Sequence, residues 1–190
     1  MILLLSLLPI IVLHELGHFF AAKLCNVKVL QFSIGFGKTI WSKTIGETTY
    51  NLKWILLGGS CQLKDELNFT IDNTGLTSKP YLQKCFIALA GIIVNCIVGV
   101  IAYHIGWQFF SLPTILFGWY SMVIGLSNLL PIPCLDGSYL YIFAFEKLWG
   151  KEKALRFWEN VCKKWFRWIM ILNILSLPYL GWLIYKGKIL

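Results

Sequence analysis

From Lys84 to about Phe110 the chain is a nearly unbroken apolar run, long enough to cross the hydrocarbon core of a bilayer as one helix. That run limits the fold before any other feature is considered. Backbone at membrane depth finds no water, so a spanning segment must satisfy its own hydrogen bonds, as a helix does. Met1 to about Ala22, the stretch beginning at Thr114, and about Arg167 to Tyr185 are apolar runs of the same kind. Composition agrees: 57% of residues are hydrophobic and 14% charged, where a soluble domain carries about a quarter charged. The expected fold is a mainly α-helical membrane protein with about four transmembrane helices. At 190 residues it is expected to form a single domain, 1–190.

The charges fix an expected orientation. Of the 17 Lys and Arg, eight lie between Lys23 and Lys84 and seven between Lys147 and Arg167. Basic residues gather on the cytoplasmic side of spans. With spans at about 1–22, 84–110, 114–130 (continuing as a broken helix to about 149) and 167–185, an outside start puts both clusters in the cytoplasm. Basic patches also suit nucleic acid, but patches bordering spans read as topology signals, so no nucleic-acid partner is expected. The first run lacks the basic n-region and small-residue cleavage site of a signal peptide, and is read as a retained span. The six cysteines form no Cys-x-x-Cys pair and read as small packed hydrophobes.

Between the first two runs the periodicity changes. Leu30, Phe32, Ile34 and Phe36 alternate with Gln31, Ser33, Gly35 and Gly37, and Tyr50, Leu52, Trp54 and Leu56 repeat the pattern after Gly46-Glu47. A period of two on both sides of a turn predicts a β-hairpin within 27–63, ending at Gly58-Gly59. Asp65 to Gln83 is polar and reads as a surface loop. In the third run, Pro131-Ile132-Pro133 breaks the helix just before Asp136-Gly137. Irregular backbone at that depth is tolerated only against protein or a water-filled cavity, so the break points to a site. Lys151 to Arg167 sets Leu155, Trp158, Cys162 and Trp165 on one face among basic residues, the pattern of an interfacial helix.

The first span carries His14-Glu15-Leu16-Gly17-His18. Histidines four residues apart stack on one helical face and can occupy adjacent corners of a zinc tetrahedron. Glu15 lies about 100° around the helix, within reach of a water at the metal but not of the metal itself, the place of a general base. Ionisable side chains inside a span cost about 2.5–3.5 kcal/mol each on insertion scales unless they have partners, and a dication is the best partner for this trio. A catalytic zinc takes a third protein ligand. Asp136, beyond the proline break, is the candidate; its alternative role is to cap the helix starting near Ser138. His104 lies deep in the second span without ligand-type neighbours and reads as a packed or hydrogen-bonded histidine. Asn95 and Asn128 are intramembrane amides that can donate to a substrate carbonyl or oxyanion, or tie helices together.

These residues resemble the site-2 protease family of intramembrane zinc metalloproteases. The resemblance rests on His14-Glu15-x-x-His18, on Asn128 to Gly137 (Asn-Leu-Leu-Pro-Ile-Pro-Cys-Leu-Asp-Gly), on Phe32 to Gly37, on Leu57-Gly58-Gly59 and on Ala90-Gly91-x-x-x-Asn95. It implies one zinc ion held by His14, His18 and Asp136, with Glu15 as general base. It implies a membrane-associated β-hairpin at 27–63, and cleavage of membrane-protein or signal-peptide substrates in or next to their transmembrane segments by a multi-pass enzyme of the cell membrane; the charge count puts the expected active site towards the cytoplasm. The family usually has Gly-Pro where this chain has Gly91-Ile92, which bears on a local helix bend. Bacterial relatives often carry a PDZ domain between the second and third spans, where this chain has only Ser111-Leu112-Pro113. Two other classes of reading compete: a zinc-binding scaffold without catalysis, disfavoured by the intact Glu15, and a transporter or channel subunit, since intramembrane His, Glu and Asp also mark ion paths.

Overall fold

The N-terminal apolar run folds as helix α1 (Ile2–Leu24). In the computed structural model the described residues are 2–65, 73–133, 135–150, 152–154, 156–165 and 167. Its 23 residues make α1 about 34 Å long at 1.5 Å per residue. The helix ends in a Schellman motif. Asn26 takes φ 53°, the amide of Val27 reaches the carbonyl of Ala22 at 2.8 Å, and the amide of Asn26 reaches that of Lys23 at 3.1 Å. Val27 and Ala22 are both buried, the apolar contact that accompanies this cap.

Four residues later the chain enters β1 (Val29–Ile45), which pairs with β2 (Thr48–Leu63) across Gly46-Glu47. Gly46 has φ 62° and Glu47 is not in the positive region, the pattern of a II′ turn, whose twist matches that of the strands. Lys28 Nζ pairs with Glu47 at 2.5 Å, and this bond holds the exposed Glu47 carboxyl below the ordinary carboxylate range.

The hairpin is longer than the alternation predicts, because β2 runs through Gly58-Gly59 to Leu63. It also folds over on itself. Residues 41–44 pair with 49–52 as a simple hairpin, while 31–34 pair with the same 49–52 in steps that rise together, and also with 59–62 in opposite sense. Residues 49–52 and 31–34 are therefore flanked on both sides. Gly35 makes the bend possible: its φ is 92°, and a Cβ there would lie 2.8 Å from the Ile55 carbonyl oxygen. Gly58 and Gly59 lie inside β2 instead of ending it.

The return to the second span is pinned to the hairpin base. The amide of Lys28 bonds Thr74 O at 3.0 Å, and Leu76 N bonds Lys64 O at 2.9 Å. Leu76 and Thr77, in the short 3₁₀ turn Leu76–Ser78, are buried. Of the expected loop from Asp65 to Gln83, residues 66–72 lie outside the described residues. The rest is ordered by these bonds, and α2 (Tyr81–Gln108) begins three residues before Lys84.

Helix α2 has 28 residues, is about 42 Å long, and runs unbroken past Gly91-Ile92. Three residues connect it to α3 (Leu112–Ser127), which carries Pro113 in its first turn. The two helices approach closely at small residues: a Cβ on Gly99 would lie 2.8 Å from Gly118 O, and one on Gly118 2.6 Å from Gly99 O. Helices α1 and α2 are long and apolar enough to cross a membrane, and α3 is apolar but shorter. The outer faces of α2 and α3 present Ile93, Ile97, Val100, Ile101, Trp119 and Val123, a contiguous apolar surface too large for water to cover cheaply.

The third run stops at Ser127, before the prolines. After the break α4 (Asp136–Trp149) begins at Asp136 itself. The loop is closed by the Gly137 amide, which donates to Asn128 O at 2.6 Å.

Packing divides the chain into two units, the first ending at Phe143 and the second beginning at Ala144. In the second unit residues 152–154 and 156–165 are helical. Ala154 is buried, Trp158 and Cys162 are half-buried, and Trp165 is at the edge of exposure. Lys163 pairs with Glu159 at 2.7 Å on the charged face. Leu155 and the expected last span after Arg167 lie outside the described residues.

Candidate active site

One turn of α1 separates His14 from His18, and both imidazoles are buried, at 7% and 8% exposure. Helix α4 brings its first residue to them. Asp136 Oδ2 lies 2.7 Å from His14 Nε2 and 3.2 Å from His18 Nε2, and the two Nε2 atoms are 3.3 Å apart. Among the described residues these three form the one cluster whose ligand-type atoms converge, all within 4.8 Å.

The outward nitrogens of both rings meet helix α2. His18 Nδ1–H donates to the Ile87 carbonyl at 2.8 Å, which leaves Nε2 as a bare lone pair aimed at the cluster. His14 Nδ1 faces the Asn95 amide at 3.2 Å. Gly91 keeps the centre open, since a Cβ there would lie 2.4 Å from His18 Nε2 and 2.9 Å from His14 Nε2. Two imidazole nitrogens, one carboxylate oxygen and a space no side chain fills make a donor set of the kind zinc takes in catalytic sites.

A cavity of about 550 Å³ opens beside the cluster, walled by Glu15, His18 and Asp136 and by the strand segment Gly59 to Leu63. Glu15 is held against that strand. Its Cγ would lie 2.7 Å from a Cβ on Gly59, and its carboxylate accepts a hydrogen bond from the Cys61 backbone. Residues 59–62 pair with β1 on one side only, and their other side faces the cavity. Lys53, Lys84, Gln31 and Tyr139 complete the polar lining.

Four of the sequence candidates, His14, Glu15, His18 and Asp136, thus come together. The two asparagines part ways. Asn95 is fully buried behind His14, away from the cavity lining. Asn128 turns its Nδ2 back to Ile124 O at 3.2 Å, while its own carbonyl anchors Gly137. His104 is exposed on α2, edge-on to Tyr103; the sequence places it in a span but cannot say which face it takes, and it is not packed. Residues that the sequence does not single out are the Ile87 carbonyl, Gly91 as an empty place, and Lys84. Lys84 is 4% exposed, sits over the Phe143 ring and lines the cavity, although its charge reads as a topology signal. Only Gly91 leaves a trace, as part of the Ala90-Gly91-x-x-x-Asn95 motif.

The sequence profile of Peptidase family M50 matches residues 2–113 and 104–172. The chain belongs to that family. M50 relatives include the Regulator of sigma E protease of Haemophilus influenzae, 38% identical over 108 residues, which are 54% of this chain and 24% of that protein. A Clostridium perfringens protein bearing the name zinc metalloprotease is 34% identical over 100 residues, 53% of this chain and 30% of its own. The chain spans less than a third of the length of either relative. Among solved structures, the Site-2 Protease from Methanocaldococcus jannaschii superposes with a TM-score of 0.59 at 22% identity, covering 94% of this chain and 70% of that one. This bears out the site-2 protease resemblance and gives the M50 chain that fold.

Proposed function

We propose that this M50 chain is a zinc metalloendopeptidase that hydrolyses peptide bonds in or next to the membrane segments of its substrates. The observation that carries the reading is the convergence of His14, His18 and Asp136 beside Glu15, in a cavity walled by the strand segment Gly59 to Leu63. His14 and His18 through Nε2 and Asp136 through Oδ2 would hold one zinc ion. Zinc in that position supplies Lewis acidity, polarising the scissile carbonyl and making water a nucleophile near neutral pH. Glu15, oriented by the Cys61 amide and propped against Gly59, takes the proton of the attacking water and returns it to the leaving amine. A helical substrate hides its carbonyls in its own hydrogen bonds and must unwind first. The edge at Gly59 to Gln62 offers the unwound segment backbone partners that lipid lacks.

The substrates of this reading are membrane proteins or signal-peptide remnants. The basic clusters support a multi-pass topology of about four spans with the site towards the cytoplasm. With three residues between α2 and α3 there is no PDZ filter at that point, so substrate selection falls to the hairpin and the cavity.

The test is Glu15→Gln, assayed on a transmembrane peptide in detergent or liposomes alongside zinc content. Cleavage is expected to vanish while zinc stays bound. Full cleavage by the variant would sink the proposal, and zinc-independent ion flux through reconstituted protein would favour a transporter instead.

A further inference from the structure

Asn95 is fully buried, and its Oδ1 is the one buried side-chain polar atom among the described residues with no hydrogen-bond partner. An orphaned acceptor in an apolar interior is unfavourable, so its surroundings need a physical account. Its Nδ2 lies 3.2 Å from His14 Nδ1. If His14 Nε2 holds zinc, as proposed above, the ring's single proton must sit on Nδ1, because a neutral imidazole has one N–H. Two N–H groups would then face each other.

Turning the amide by 180° removes the clash of the two N–H groups and leaves Nδ2, not Oδ1, in the unpartnered place. Oxygen and nitrogen exchange places with almost no change of shape, and Oδ1 takes the position 3.2 Å from Nδ1–H as its acceptor. His18 shows the same arrangement already, its Nδ1–H donating to the Ile87 carbonyl. Both rings would then be braced by oxygens of α2, one from the backbone and one from a side chain.

We infer that Asn95 is a positioning residue for the metal centre. In the zinc-loaded protein its Oδ1 accepts from His14 Nδ1–H and fixes both the tautomer and the plane of that ring. Outer partners of this kind raise ligand basicity, and their loss costs about 10–100-fold in metal affinity or activity. Asn95 is itself held from behind. Ser121 Oγ donates to its backbone carbonyl at 2.8 Å, and α3 packs at Gly125, where a Cβ would lie 3.0 Å from Asn95 Cβ. The inference rests on the zinc reading of His14, and its test separates the two.

Zinc dissociation constants are measured by chelator competition on purified protein in detergent, with circular dichroism as the check on folding. Asn95→Ala is expected to weaken zinc about 10–100-fold, whereas Asn95→Asp, which can only accept, stays within a few-fold of wild type. Zinc binding by Asn95→Ala equal to wild type, or an Asn95→Asp variant as weak as Asn95→Ala, overturns the assignment. A wild-type protein that binds no zinc overturns the zinc reading and this inference with it. Should a variant misfold, the wild type still decides the matter. The chain has three histidines, so ¹⁵N-histidine spectra are simple. Both zinc-responsive rings are expected to carry a proton on Nδ1, and a bare Nδ1 on His14 refutes the inference.

Discussion

Replacing Gly91 by alanine tests whether the space between the two imidazoles is the working centre. A Cβ at that position would lie 2.4 Å from His18 Nε2, 2.9 Å from His14 Cε1 and 2.9 Å from His14 Nε2. Comfortable contact begins at about 3.5 Å, so the His18 ring must retreat by about 1 Å or α2 must shift. His18 cannot rotate freely, because its Nδ1–H is fixed to the Ile87 carbonyl one turn earlier on that helix. A misplacement of about 1 Å in a catalytic constellation costs on the order of 100-fold in rate, equivalent to about 2.7 kcal/mol of transition-state stabilisation. The substitution does not weaken α2 itself, since alanine is the better helix former by about 1 kcal/mol. Fold and activity should therefore separate. Circular dichroism and thermal melting are expected to match wild type, while kcat/KM on a transmembrane peptide falls about 100-fold and zinc content drops. Activity within twofold of wild type would refute the view that Nε2 of both histidines points at a shared ion.

Gly59→Ala provides the contrast: its Cβ would press on Glu15 Cγ at 2.7 Å, so cleavage is expected to fall about tenfold, less than the roughly 100- to 10,000-fold that a general base contributes, with zinc content unchanged. A parallel loss of zinc in that variant would show that the strand supports the metal and not the base. Asp136→Asn removes the anionic donor and is expected to lower zinc occupancy, measured by elemental analysis, and cleavage together. Stripping the wild type with a chelator should abolish cleavage, and zinc should restore it; activity that survives complete stripping counts against the metalloprotease reading.

The parts of this architecture legible from sequence are those written as local patterns. A four-residue histidine spacing in a helix puts both rings on one face whatever surrounds them. Two prolines must interrupt a helix, and a period of two around Gly46-Glu47 must make a hairpin. What the sequence hides depends on contacts between distant elements. The second ladder, 31–34 against 49–52, needs the bend at Gly35, which no periodicity records, and the glycine pair inside β2 reads as an end. Lys84 reads as a basic residue at the margin of a span, yet it is buried because α2 starts at Tyr81 and carries it inward beneath Phe143. The Ile87 carbonyl has no side-chain signature at all. Asn95 is visible as an intramembrane amide, but only the packing of α1 on α2 selects His14 as its neighbour and removes it from the cavity.

The donor set is split by the proline break. His14, Glu15, His18 and the strand wall all belong to one continuous stretch of chain, whereas Asp136 is separated from His14 by 122 residues. Ribosomes add about 5–20 residues per second, so a growing chain carries the histidine pair for roughly 6–24 s before the aspartate exists. During that interval the nascent protein has a base and two nitrogens but no third donor. On the zinc reading the site is complete only once the start of α4 brings Asp136 to the two histidines of α1, so hydrolysis is deferred until the scaffold that confines it is built.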